Sequence, residues 1–480
     1  MNKVLLIYPP YQSKWLAPPL GLGYIASVLE TNDIPVEVVD MGAVKWNIED
    51  ILQKVQKDQP KIIGISFMTL QIGAAESIAS RIKNVMPKTL IIVGGPHVSA
   101  IPKETLECKA FDFAIFGEGE FTILELVKKI FSNEKDYKSI QGIAFRKNET
   151  VVQTPPRELL RELDKLPFPA WHLLPLDRYF IRGIGGDESK PTFAILSSRG
   201  CPNKCVFCDS HSVFSNKFRF RSAENIFTEM VYLKEKYNAS QFDFVDDTVT
   251  VNKKRMFDLC QLFIASKKDF SWMCNARVST VTYELLKKMK EAGCVRIDFG
   301  VESGDPEVLR AIKKNITLDQ VKNAHRWCKE LNIAVSSFFM VGNPGETWES
   351  IQMTADLAAE LKSDFPSVGI ATPYPGTELY HMAKNKNWLI ETDWKKYMQS
   401  AYMNSNYKPI MRTDTMSAEE IMKAYYFLNS RFFTNKFRIR YGKWFWFNPK
   451  FYRRTVFAGR NLSDVPGLFK IAFKLIHERY

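Results

Sequence analysis

Three cysteines stand within eight residues at Cys201-Pro-Asn-Lys-Cys205-Val-Phe-Cys208, a C-x3-C-x2-C spacing. This is too tight for a structural zinc site, which takes four ligands, usually as two separated pairs. No fourth cysteine or histidine stands at finger spacing, and His211 is the only nearby candidate. Three soft thiolates on one short loop suit a [4Fe–4S] cluster. Three ligands for four irons leave one iron open to a substrate or cofactor, so the count itself points to catalysis. The plain alternative is three reduced cysteines acting as small hydrophobes. Such cysteines seldom gather three to a loop directly behind an Arg-Gly pair such as Arg199-Gly200.

The rest of the chain must position that loop. Its 480 residues allow two or three domains, and 45% hydrophobic with 25% charged residues reads as globular. Cys108, Cys260, Cys274, Cys294 and Cys328 are scattered without disulfide-framework spacing, which fits the reducing cytoplasm. The apolar start is broken by Pro9-Pro10 before it could form a signal peptide, and no apolar stretch approaches membrane-spanning length.

Over residues 1–132 short apolar runs alternate with helical patterns. Strands are expected at Val4–Tyr8, Val36–Val39, Ile62–Phe67, Leu90–Val93 and Phe113–Phe116. Helices are expected at Leu20–Leu29, Ile48–Lys57, Ala74–Val85 and Phe121–Phe131. Parallel strands need crossover helices, so the pattern implies a doubly wound parallel sheet that binds ligand at the carboxyl ends of its strands. Turn-forming residues gather there, in Gly94-Gly95-Pro96-His97 and Gly117-Glu118-Gly119-Glu120. No G-x-G-x-x-G follows the first strand, which speaks against NAD.

Residues 133–190 read as a linker, with a hairpin turning at Lys147-Asn148 and a proline-rich connector. From 191 to 384 six further βα units are expected. Their strands are Phe193–Leu196, Phe242–Val245, Trp272–Ala276, Arg296–Val301, Val335–Val341 and Val368–Ala371. Polar residues recur at the ends of those strands, at Asp246, Asn275 and Arg277, Glu302-Ser303-Gly304, and Gly342-Asn-Pro344-Gly345-Glu346-Thr347. Barrels place catalytic groups there.

The final region, 385–480, opens a helix at the capping box Ser417-Ala-Glu-Glu420. The net charge of +13 concentrates beyond it. Residues 431–460 hold nine Lys or Arg and eleven aromatics, with no acidic residue between Glu420 and Asp464. This region is expected to form a helical lid touching the inner face of an anionic membrane. Nucleic acid ranks last among its partners, because no RNA-binding module is recognisable.

The cysteine stretch resembles the signature of the radical SAM superfamily. That resemblance implies Cys201, Cys205 and Cys208 as cluster ligands, S-adenosylmethionine on the open iron, and Phe207 packed near the adenine. Asp246, Arg277, Glu302 and Ser303 match positions lining the S-adenosylmethionine pocket. Gly342, Pro344 and Gly345 match the loop near its methionine end. The run from Pro18-Pro19-Leu-Gly-Leu-Gly through Gly94-Gly95-Pro96-His97 to Gly117-Glu118-Gly119-Glu120 resembles the cobalamin-binding domain that precedes many radical SAM domains. Gly94, Gly95, His97, Gly117, Glu118 and Gly119 are then its cofactor contacts. Ordinary cobalamin enzymes carry D-x-H-x-x-G, whose histidine ligates cobalt, but residues 9–18 contain no histidine. Cobalamin is therefore expected with no histidine below cobalt, leaving His97 as a plain loop residue.

The implied fold is α/β. An N-terminal doubly wound, Rossmann-like cobalamin domain precedes a partial (β/α)6 radical SAM barrel and a helical C-terminal region. The implied activity is reductive cleavage of S-adenosylmethionine to a 5′-deoxyadenosyl radical, then cobalamin-dependent methylation of an unactivated carbon. A hydrophobic small molecule (lipid, tetrapyrrole or natural product) is the expected substrate, and a flavodoxin- or ferredoxin-type protein the electron donor. The rival within enzymes is a cyclase or oxidoreductase using cobalamin without net methyl transfer. A cluster-bearing redox sensor is the rival outside enzymes, and it needs no six-unit pocket.

Overall fold

The computed structural model describes residues 2–10, 16–179, 192–397 and 407–441, with side chains through residue 432. Strands β1 (Val4–Tyr8), β2 (Val36–Asp40), β3 (Ile62–Ser66), β4 (Leu90–Gly94) and β5 (Phe113–Ile115) are parallel. Their near-continuous apolar runs arise because both faces are covered. Leu5, Ile7, Ile63, Ile65, Ile91 and Val93 face the helices Ile48–Asp58 and Ile72–Val85. The alternate residues Val4, Leu6, Ile62 and Ile92 face the helices Leu20–Glu30 and Glu120–Phe131.

The expected hairpin forms as β6 (Ile143–Lys147) and β7 (Thr150–Gln153), but it does not hang in a linker. Phe113 pairs with Phe145 and Ile115 with Ile143 in antiparallel register. The hairpin thus extends the sheet to seven strands, ordered β2-β1-β3-β4-β5-β6-β7. Pairing with the edge strand β5 satisfies backbone groups that an isolated two-stranded hairpin would leave to water.

The second sheet starts at β8 (Thr192–Ile195). A short antiparallel ladder follows, of β9 (Ser198–Arg199) with β10 (Arg219–Phe220). Then come β11 (Gln241–Phe244), β12 (Ser271–Ala276), β13 (Cys294–Glu302), β14 (Ala334–Val341) and β15 (Phe365–Ile370). Its six parallel strands run β8-β11-β12-β13-β14-β15, an open barrel wall. Alternation decides the two sides. Phe242, Phe244, Trp272, Phe299 and Phe339 are buried against the outer helices. Asp243, Asn275, Asp298 and Phe338 occupy the intervening inner positions.

The helix opened by the capping box at Ser417 runs Ala418–Tyr441. Its buried stripe Ile421, Ala424, Tyr425, Leu428 and Phe432 packs on the barrel, with Phe432 5.2 Å from Phe339 between ring centroids. Most of the basic aromatic run at 431–460 lies outside the described residues, so the membrane and nucleic-acid expectations for it do too. Among the described residues no helix is long and apolar enough to cross a membrane.

Candidate active site

The cysteine loop leaves β9 through Gly200, whose φ of +80° suits glycine. Cys201 is buried, and Cys205 and Cys208 are half-buried; all three are free thiols. The loop is pinned to the barrel by Val206, whose N–H donates to Ile312 O at 3.1 Å. Val206 O in turn accepts from Leu379 N at 2.8 Å. Burial, with the Asp247 and Asp209 carboxylates behind it, pushes the Cys208 thiol up to about 12. Iron binding there must therefore displace a proton.

Several expected residues meet around Cys205. Arg277 Nη1 lies 3.7 Å from Cys205 Sγ, and its Nη2 donates to Lys314 O. Lys314 Nζ lies 2.7 Å from Glu302 Oε1 and 5.9 Å from the centre of the Phe207 ring. Glu302 holds a left-handed φ of +68°, which turns its carboxylate back over Gly300 toward that lysine. Arg277 Nε is buried without a hydrogen-bond partner. A cationic, partly unsatisfied guanidinium beside a cysteine sulfur favours the thiolate that would bind a cluster iron. No three His, Cys, Asp or Glu side chains among the described residues converge as for a single ion. The cysteines of a [4Fe–4S] cluster each bind a separate iron, so the donor set fits the cluster.

Other candidates hold hydrogen bonds within the barrel. Asp246 accepts from Ser197 N at 3.3 Å, Ser197 Oγ at 3.1 Å and Ser198 Oγ at 2.5 Å, bracing the approach to the cysteine loop. Ser303 Oγ faces Thr354 Oγ1 at 3.3 Å and accepts from Asp305 N at 3.1 Å. The loop of Gly342, Pro344 and Gly345 is closed by Glu346, which accepts from Gly342 N at 2.6 Å. Gly342 stands against Ile421 of the last helix.

The cobalamin candidates line the carboxyl edge of the first sheet. Gly95 passes so close to Phe67 that a Cβ would lie 2.6 Å from Phe67 O, whereas a Cβ on Gly117 would meet nothing within 4 Å. The backbone at Gly117 is thus open to a ligand. Gly94 ends β4, and Gly119 leads into the helix Glu120–Phe131. Glu118 is committed elsewhere, to Arg199 and Arg219 of the barrel. His97 is 2% exposed, bonds Thr69 Oγ1 at 3.1 Å and packs against Phe67 and Trp394; burial holds its pKa down at about 4. Its surroundings are those of a neutral core histidine. The helix Pro96–Ala100 after β4 and the helix Ser210–Phe214 after the cysteine loop meet at Gly376, where a Cβ would lie 2.7 Å from Ser212 Oγ and 2.9 Å from Ala100 Cβ.

Sequence reasoning missed Lys314, Arg219 and the inner-face charges Asp243, Arg296 and Asp298. No local motif marks them. Only the period-two alternation of β11 and β13 shows that the last three face inward, where Arg296 pairs with Asp298 at 2.6 Å.

A parallel sheet with an open carboxyl edge, set against a six-stranded barrel carrying three free cysteines at its mouth, defines a two-cofactor enzyme. The radical SAM superfamily model matches residues 195–358, and the B12 binding domain model matches residues 13–127. An uncharacterized methyltransferase of Pyrococcus horikoshii is 35% identical over 429 residues, covering 88% of this chain and 90% of its own. The anaerobic magnesium-protoporphyrin IX monomethyl ester cyclase of Rubrivivax gelatinosus is 27% identical over 453 residues, 92% of this chain and 79% of its own. The structure of the radical S-adenosylmethionine methyltransferase TsrM from Kitasatospora setae, with cobalamin and a [4Fe-4S] cluster bound, superposes with a TM-score of 0.69. It covers 80% of this chain and 75% of its own, at 19% identity. The chain belongs to the cobalamin-dependent radical SAM methyltransferase family, whose cofactors are a [4Fe–4S] cluster, S-adenosylmethionine and cobalamin.

Proposed function

We propose that this enzyme transfers a methyl group to an unactivated carbon of an apolar small molecule, with Cys201, Cys205 and Cys208 holding the cluster. When bound, the cluster supplies the electron that cleaves S-adenosylmethionine, and cobalamin carries the methyl group. The observation that carries the reading is the apposition at Ala100, Ser212 and Gly376, where the helix Pro96–Ala100 that follows β4 meets the short helix Ser210–Phe214 that follows the cysteine loop. Gly94, Gly95, Gly117 and Gly119 give the cofactor backbone to rest on. Phe207, Arg277, Glu302 and Lys314 orient S-adenosylmethionine beside Cys205, and Arg277 keeps a positive charge on the sulfur side. Asp246 and Ser303 act through the backbone they brace.

Arg296 and Asp298 pair with each other on the inner wall, and the apolar surface offered to a substrate there is that of Phe338. Its neighbour Phe339 is buried toward the helices, while Phe338 is 39% exposed on the inner wall. It stands in register with Gly300 and Ser367, neither of which covers it. A one-electron donor of flavodoxin or ferredoxin type completes the partners.

The test is product analysis with methyl-labelled S-adenosylmethionine, cobalamin, a strong reductant and candidate lipid or tetrapyrrole substrates. Methylation should yield labelled product with one 5′-deoxyadenosine and one S-adenosylhomocysteine per turnover. Turnover with no label in product refutes methyl transfer and leaves a cyclase or oxidoreductase.

A further inference from the structure

Arg199 stands two residues before Cys201, yet its side chain turns away from the cysteines and into the first domain. Nη1 donates to Glu118 Oε1 at 2.9 Å and Nη2 to Glu120 Oε1 at 2.5 Å. Arg219, its neighbour across the two-residue ladder, donates through Nη1 to both Glu118 oxygens at 2.8 and 2.9 Å and to Leu160 O at 2.9 Å. The four charged side chains are each at most 9% exposed. The Arg199 guanidinium also lies 5.4 Å from the ring centres of Tyr24 in the first domain and Phe214 in the barrel. Burial drives the Glu118 carboxyl up, but the two arginines outweigh it and hold it below its ordinary value.

Removing such charges from water is costly, and well-packed apolar groups would hold two domains together at least as firmly. What apolar contact lacks is a fixed register. Arg199 engages two carboxylates through one planar fork, and Glu118 engages two guanidinium groups, so a small slide between the domains breaks several bonds at once. The two ends of this quartet are also placed tellingly. Glu118 sits between Gly117 and Gly119 on the open carboxyl edge, and Arg199 leads through Gly200 into Cys201.

We propose that Glu118, Glu120, Arg199 and Arg219 are positioning residues that lock the cysteine loop at a set distance from the cobalamin edge of the first domain. The proposal rests on the cofactor placement given above. Without the lock, each cofactor would still bind, but their separation would vary.

The experiment uses the full chain. Glu118→Gln with Arg219→Met removes one charge of each sign and leaves the Arg199–Glu120 pair intact, so no buried charge is stranded. Glu118→Gln alone, a change in the first domain, should speed amide hydrogen exchange at residues 198–209 of the cofactor-free protein by roughly tenfold. In reconstituted protein, magnetic coupling between the reduced cluster and cobalt(II) falls as the inverse cube of their separation. The double variant should bind wild-type amounts of iron and cobalamin while its coupling spectrum broadens. Arg199→Lys, which keeps the charge and loses the fork, should fall between. Unchanged exchange at 198–209, or full cofactor content with wild-type coupling, overturns the proposal. Loss of iron from a folded variant whose exchange is altered as expected counts instead against the cofactor placement.

Discussion

Gly200 is the residue on which the cysteine loop turns, and replacing it with alanine tests that geometry. An added Cβ would lie 2.5 Å from Lys217 O, 2.9 Å from Ser215 O and 3.1 Å from Phe214 O. Ordinary contact begins at 3.4 Å, so the chain at 214–217 must retreat by about 0.9 Å, and all three atoms are backbone with no flexible end to give way. Two costs combine: about 1–2 kcal/mol for an L-residue at this left-handed φ, and about 1–3 kcal/mol for forced overpacking. Gly117→Ala isolates the first, since Gly117 has a similar φ of +75° but nothing within 4 Å of its Cβ. Thermal unfolding of the two variants should therefore differ by the overpacking cost alone, with Gly200→Ala the less stable. Because the displaced backbone leads into Cys201, Gly200→Ala should also hold well under the wild-type iron after anaerobic reconstitution, whereas Gly117→Ala should hold it fully. Equal stability and full iron in both variants would refute the reasoning.

Cys201→Ala, Cys205→Ala and Cys208→Ala should each abolish S-adenosylmethionine cleavage, while Cys260→Ser and Cys328→Ser, which alter buried core sites, should leave iron content intact. Burial lifts the Glu346 carboxyl from 4.5 to about 7, so the native state keeps a proton that the unfolded chain has lost. The contribution of Glu346 to stability should then fall by about 3 kcal/mol as pH rises from 4.5 to 7 and stay level above; Glu346→Gln should remove that part of the slope in pH-dependent denaturation and leave the part due to Asp243, which burial also lifts to about 7. His97→Ala should leave the optical spectrum of bound cobalamin unchanged while lowering the melting temperature, because the ring fills space between Phe67 and Trp394. A spectral shift would make His97 a cobalt ligand.

The parts of this fold readable from sequence were those set by local chemistry. Strand and helix alternation followed from burial on both faces, and the capping box of Ser417 with Glu420 formed as its spacing dictates. The cysteine loop declared itself because three soft ligands in eight residues have few other uses. Side-chain direction did not show. Glu118 lies in a glycine-rich loop typical of cofactor contact, and only the approach of Arg199 and Arg219 from 81 and 101 residues away redirects it. Asp246 ends a strand where ligands bind, yet serines just after β8 claim its oxygens. The hairpin at 143–153 looked like a linker because edge pairing with β5 leaves no mark on its own residues.

The strand orders bear on how the chain is made. In the first sheet β3 joins the free side of β1, and each later strand is laid beside the one synthesised just before it. The barrel wall grows the same way from β8 to β15, apart from the short ladder that carries Arg199. No strand has to be threaded into a finished sheet, so both units can assemble vectorially as the polypeptide leaves the ribosome. At synthesis rates of roughly 5–20 residues per second, Arg199 emerges several seconds after β7 completes the first sheet. Glu118 and Glu120 thus leave the ribosome with every strand of the first sheet before either arginine that they bind has been made.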